Sequence, residues 1–192
     1  MALPMPPVRL MTVAQYSSLP EDGEIRYELQ EGILVMSPSP TPDHQRCLRR
    51  LLRTFEDQLP AGLEPIPEVD IDLQLAKHSQ PGFVRRPDLA VVTCAAIRRV
   101  RRERTLLQAS EVVLAVEIIS PGSRRMDTIV KHGEYADAGI PYYWIVDIDG
   151  TVTLTACHFA GEFGFVDATP VTGVFTAEEP FPVRLDLTEL GR

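Results

Sequence analysis

The chain has 192 residues, 44% hydrophobic and 24% charged, the balance of an ordinary soluble globular protein long enough for one full core. Its formal net charge of −8 argues against a protein that coats nucleic acid without selection. No apolar run approaches the ~20 residues needed to cross a bilayer, which excludes a membrane-spanning helix.

Residues 1–9 are rich in proline and are expected to be disordered, with one domain over residues 10–192. The start lacks the apolar region and cleavage pattern of a signal peptide, so a cytoplasmic location is expected. Thr12 is placed to cap a short helix over 13–19, which Pro20 ends. Residues 26–36 read as two short strands turned at Glu31-Gly32. The proline-rich stretch 37–43 ends at Asp43, which opens an amphipathic helix to about Leu59. Cys47, Leu48, Leu51, Leu52, Phe55 and Leu59 form its apolar stripe.

Residues 68–75 alternate strictly and read as a half-exposed strand. A strand beginning near Asp88 follows, then an exposed connection holding Arg98, Arg99, Arg101, Arg102 and Arg104. Residues 112–120 read as a buried strand, 127–138 as a helix ended by Gly139, and 142–147 as a strand. Asp149-Gly150 turns that strand into its return over 151–159, and the tail holds one or two more. Cys47, Cys94 and Cys157 are odd in number, far apart and in apolar surroundings. They read as reduced core residues without zinc-ligand spacing. The fold expected is α/β, a mixed β-sheet flanked by helices in a single domain.

Glu117 stands inside the otherwise apolar strand 112–120. A buried carboxylate must be paired, neutralised or bound to a metal, because an isolated buried charge is too costly. Asp88 opens a second buried strand in the same manner. If the two strands are neighbours, Asp88, Glu117 and a main-chain carbonyl such as that of Ile118 could hold one Mg²⁺ (or Mn²⁺), with water completing the shell. Such a metal activates water and neutralises a phosphodiester, and a nearby lysine stabilises the charge that develops.

At these residues the chain resembles the PD-(D/E)XK nuclease superfamily. Pro87-Asp88 matches the PD element, and Glu117-Ile118-Ile119 occupies the (D/E)XK element. More narrowly it resembles the Uma-type restriction endonucleases, a bacterial family of unknown function. The segments carrying this are 27–32, 37–45, 86–91, 116–127 and 131–147. The resemblance implies a restriction-endonuclease-like core, a DNA substrate, a homodimer and metal-dependent hydrolysis of phosphodiester bonds. It departs at Ile119, where the general motif has lysine. The Uma-type pattern instead places a lysine on the next helix, and Lys131 matches it. Asp127, Lys131 and Tyr135 then form one stripe at spacings of four residues. Glu28 matches an upstream glutamate brought to the metal. His44, Arg124 and Arg125 are candidate phosphate contacts.

Plainer readings stand beside these. Glu117 could pair with an arginine, Glu28 could face solvent, His44 could be an ordinary first-turn residue, and Lys131 a surface lysine. The arginine run reads as a solvated face or as a phosphate-contact patch. At the level of the whole chain, the leading expectation is a Mg²⁺-dependent DNA endonuclease using Glu28, Asp88, Glu117 and Lys131. Its alternative is a weak or inactive nuclease-fold module for DNA or protein binding. Hydrolysis of a small phosphoester fits the carboxylates but lacks a phosphate-cradling glycine loop.

Overall fold

The structure, a computed structural model, describes residues 10–20, 27–37, 39–120 and 122–191. The expectations for residues 1–9 and Arg26 fall outside them. Thr12 caps α1 (Val13–Ser17): its hydroxyl accepts from the Gln15 amide, and the Gln15 side chain accepts from the Thr12 amide. β1 (Tyr27–Gln30) and β2 (Ile33–Met36) form the expected hairpin. It turns through Glu31 and Gly32 at φ 48° and 79°, the two left-handed positions that such a tight turn requires.

α2 (Pro42–Gln58) begins earlier than expected. Thr41 is the cap, its side chain accepting from the His44 amide at 3.2 Å, and Pro42 takes the first helical position, where its missing N–H is harmless. Cys47, Leu48, Leu51 and Phe55 bury the predicted stripe.

The alternating stretch 68–75 is not one strand. β3 (Leu63–Pro67) precedes it and β4 (Ile71–Asp72) lies within it, because Glu68 and Gln74 reverse the backbone at φ 51° and 57°. Pro65 and Pro67 hide β3 from a sequence reading. The strand tolerates them as the edge of its sheet, where one row of N–H groups needs no partner. After β5 (Val84–Arg85) and β6 (Leu89–Thr93), the arginine-rich connection proves to be a helix, α3 (Cys94–Glu103), capped by Thr93.

β7 (Leu107–Gln108) leads into β8 (Val112–Ile119), which carries Glu117. Side chains alternate between the two faces of β8 from Leu114 onward. Before it, the register with β6 shifts between Val91 and Val92, so Val113 packs with Leu114's cluster and Val112 with Ala115's. The next helix starts as a π-helical turn, Met126–Lys131, before becoming α4 (His132–Asp137), with Gly139 past its end at φ 71°. β9 (Tyr142–Asp147) and β10 (Thr153–Phe159) follow as expected. The tail exceeds expectation, with β11 (Phe165–Asp167), β12 (Val174–Ala177), β13 (Val183–Asp186) and α5 (Leu187–Leu190).

The central sheet is mixed, in the order β11-β10-β9-β8-β6-β3, with β8 and β9 parallel. A five-stranded sheet, β2-β1-β5-β4-β7, brings the hairpin alongside. One face of β8 buries Leu114, Val116 and Ile118 against α2, with Phe55 and Trp144 edge-to-face at 6.0 Å. The other buries Ala115 and Ile119 with Ala96, Tyr135 and Tyr143 from α3, α4 and β9. The fold is therefore α/β, a mixed sheet flanked by helices. Among the described residues no helix is long and apolar enough to cross a membrane.

Candidate active site

β6 and β8 run antiparallel with Leu89 opposite Val116, so Asp88, one residue earlier, stands level with Glu117, one residue later. Asp88 is fixed from two sides. Its Oδ2 accepts the Ile118 amide at 2.6 Å and lies 3.1 Å from His44 Nε2 at the start of α2. The carbonyl side of Ile118 belongs to the same strand end, and Ile118 itself is buried. Ile119 is buried in the core with Tyr135 and Tyr143 and brings no charge to the site.

The charge absent at position 119 comes from the next helix. Lys131 Nζ lies 2.8 Å from Glu117 Oε1, 3.0 Å from Glu28 Oε1 and 3.8 Å from Asp127 Oδ1. Tyr135 donates its hydroxyl to the same Glu117 oxygen at 2.9 Å. The stripe Asp127, Lys131, Tyr135 is buried along its whole length. A pure α-helix would drift by about 40° over each four-residue step. The wider π turn winds back against that drift, which keeps the three in line.

Glu28 enters from β1 and is buried. Its oxygens accept from Arg85 Nη1 at 2.9 Å and from the Arg86 amide at 3.0 Å. Arg85 is fully buried and also grips Glu134 of α4 through two hydrogen bonds. Arg86 is held by Asp70 at 2.6 and 3.0 Å. Sequence reasoning placed Asp127 and Tyr135 on the lysine stripe without giving them a role. It missed Arg85 and Glu134 as a pair, and the one available signal was an arginine directly after the apolar Phe83-Val84, beside the Asp88 strand.

These groups line a cavity of about 260 Å³, bounded by Glu28, His44, Asp88, Glu117, Ile118, Asp127 and Lys131. Arg124 and Arg125 do not line it. Both are exposed, and Arg124 bonds Asp147 at 2.8 Å at the end of β9. The arginine run also lies elsewhere: α3 starts at the end of β6 opposite Asp88. Arg99 of that run is bound to Glu111 through two hydrogen bonds of 2.6 and 2.7 Å.

The electrostatics follow from three carboxylates around one ammonium, with Asp88 and His44 beside them. Burial pushes Glu117 well above the usual carboxylate range; Lys131 opposes this, while Asp88, Asp127 and Glu28 add to it. Burial raises Asp127 too, against Lys131 and Ser123. Burial would also raise Glu28, but Lys131, Arg85 and the Arg86 amide outweigh it and hold Glu28 low. Lys131 stays charged: burial would lower it, and Glu117, Glu28 and Asp127 more than compensate. For His44, burial is outweighed by the hydrogen bond and charge of Asp88, which raise it.

The cluster fits a hard divalent cation. The donors are carboxylate oxygens and the Ile118 carbonyl at one sheet end, the ligand type such a cation takes. Among the described residues, no three of these acidic groups bring ligand oxygens mutually within 4.8 Å. Lys131 instead holds Glu28 and Glu117 on either side of its ammonium.

Three comparisons with known proteins bear on this site. The family model described as "Uma2: Putative restriction endonuclease" matches residues 13–183. Among solved structures the chain is similar to one described as a "putative nuclease belonging to DUF820" from Anabaena variabilis. The two share 17% identity over 94% of this chain and 97% of that one, with a TM-score of 0.71, a likeness of fold. No curated protein matches.

Proposed function

This chain belongs to the Uma2 family, described as putative restriction endonucleases, and on that premise we propose that it is a Mg²⁺- or Mn²⁺-dependent DNA endonuclease. The observation that carries the reading is one cavity at a sheet end in which Glu28, Glu117 and Asp127 converge on Lys131 and Asp88 lines the same wall beside Glu117. Asp88, Glu117 and the Ile118 carbonyl would hold the cation. When bound, it supplies activation of an attacking water and neutralisation of charge on the scissile phosphodiester.

The chain's own residues have separate tasks. His44 and the Ile118 amide occupy Asp88 Oδ2 and so orient that carboxylate. Tyr135 does the same for Glu117. Lys131 donates to the phosphate oxygen on which charge grows, and Glu28, backed by Arg85, keeps the ammonium in place between turnovers. A homodimer would carry two copies of the site, enough to cut both strands of a cytoplasmic DNA in one encounter.

A second reading, a nuclease-fold module that binds DNA without cutting it, is favoured by one observation: the Lys131 ammonium already bridges Glu28 and Glu117. Plasmid cleavage separates the two. Wild type, Asp88→Ala, Glu117→Gln and Lys131→Ala are incubated with chelator, Mg²⁺ or Mn²⁺. Metal-dependent nicking by wild type, lost in both carboxylate variants, is the expected result. Cleavage surviving both changes overturns the mechanism, and binding without cleavage under every metal establishes the second reading.

A further inference from the structure

Three side chains of unlike chemistry meet at the edge of the central sheet, outside the carboxylate cavity. Cys157 of β10 and Asp167 of β11 are direct partners across an antiparallel ladder, which sets both side chains on one face. His132, the first residue of α4, comes down onto that face with Nε2 2.8 Å from Asp167 Oδ1. A ring nitrogen, a sulfur and a carboxylate oxygen thus lie within 4.8 Å of one another. We propose that His132, Cys157 and Asp167 form a second metal site, selective for Zn²⁺ or a cation of the same borderline-soft class over Mg²⁺.

The donor set makes the selection. Sulfur and imidazole suit zinc-like cations, whereas Mg²⁺ takes oxygen ligands and keeps its water. Zinc bonds of ~2.0–2.3 Å put ligand atoms roughly 3.3–3.8 Å apart, so a trio already within 4.8 Å closes by no more than about 1.5 Å. Charge balances as well. When the thiol proton leaves to solvent, one thiolate and one carboxylate neutralise the dication, which suits a partly buried position.

The surroundings hold the ligands and leave a way in. The His132 ring packs edge-on against Phe165 at 5.2 Å and Tyr143 at 6.1 Å, which restrains the imidazole. Cys157 is buried while the Asp167 side chain is 51% exposed, so a cation can enter and water can take the fourth position. A hydrogen bond between His132 and Asp167 accounts for two of the groups. The Cys157 thiol is hydrogen-bonded to the same carboxylate, so Asp167 gathers both other groups to one point. His132 directly follows Lys131, so a cation here fastens the lysine-bearing helix to β10 and β11.

Cobalt titration of the full-length, chelator-treated protein tests this. Co²⁺ alone is expected to give a thiolate-to-metal charge-transfer band that saturates at one such centre per chain, whatever Co²⁺ the carboxylate cavity takes up without a sulfur ligand. Zn²⁺ abolishes the band and excess Mg²⁺ leaves it unchanged. Cys157→Ala removes it. His132→Ala and Asp167→Asn, at less buried positions that spare the fold, weaken binding at least about tenfold, since even supporting partners of a ligand matter that much. A missing band, a band that persists in Cys157→Ala, or equal affinity across the His132 and Asp167 variants (an adventitious ion only) overturns the proposal.

Discussion

Lys131 bonds Glu117 Oε1 at 2.8 Å across 14 residues of chain, from a helix that follows the carboxylate's own strand. The ammonium also lies 3.0 Å from Glu28, so one cation keeps two buried carboxylates compatible with folding.

Removing it exposes that dependence. Lys131→Met is expected to lose about 3–5 kcal/mol in urea unfolding without divalent cations, the usual cost of leaving buried charge unpaired. Mg²⁺ should then stabilise the variant more than wild type, because the Glu117 carboxylate that Lys131 no longer neutralises holds the cation more strongly. Equal Mg²⁺ stabilisation of the two proteins would contradict a carboxylate shared between lysine and metal.

Asp88→Asn separates folding from function. An asparagine oxygen can still accept the Ile118 amide, so unfolding should change by less than about 1 kcal/mol. Loss of the charged ligand should nevertheless reduce Mg²⁺ affinity at least about tenfold in calorimetry. Metal-dependent cleavage should fall by ~100-fold or more.

Arg85 is the structural counterpart of Lys131. It is fully buried between Glu28 and Glu134, and Arg85→Met is expected to cost about 3–5 kcal/mol. Combining it with Glu134→Gln should cost less than the sum of the two single changes, because the second substitution removes a carboxylate that the first left unpaired. Strict additivity in the double-mutant cycle would refute the pairing.

Acid should loosen the contact between α3 and the start of β8. The hydrogen bonds from Arg99 hold Glu111 below the ordinary glutamate range; partial burial opposes them and the Gln108 amide assists. A carboxylate depressed in the folded state stabilises fully above its unfolded pKa, ~4.3, and loses that contribution as pH falls through the folded value. Glu111→Gln should therefore unfold more easily than wild type by about 1 kcal/mol near neutral pH, with the difference shrinking as pH falls through the depressed folded value and vanishing below it. A difference that persists in acid would assign the effect to packing.

The elements that position the site were legible where one local signal dominated. An apolar run with one carboxylate marks β8, proline followed by aspartate marks the start of β6, and a helical stripe marks α2. Elements governed by partners were not. β3 contains two prolines and exists because β6 offers it a ladder, and α3 reads as a loop unless Thr93 is recognised as its cap. Arg85 and Glu134 are 49 residues apart, a pairing no local pattern encodes. Arg124 and Arg125 were assigned to phosphate on charge alone, but the loop before the π turn leaves them exposed outside the cavity.

The π turn over Met126–Lys131 makes winding, and not residue identity alone, a functional variable. Four steps of α-helix turn by about 400°, whereas four steps of the wider turn fall short of a full circle, so rewinding this segment as α without changing its length would rotate Asp127 by roughly 70° relative to Lys131. Asp127 would swing off the cavity wall while Lys131 and Tyr135 kept their places. A chain with every one of these side chains but an unbroken α-helix in that segment would therefore present a wall with three carboxylates instead of four.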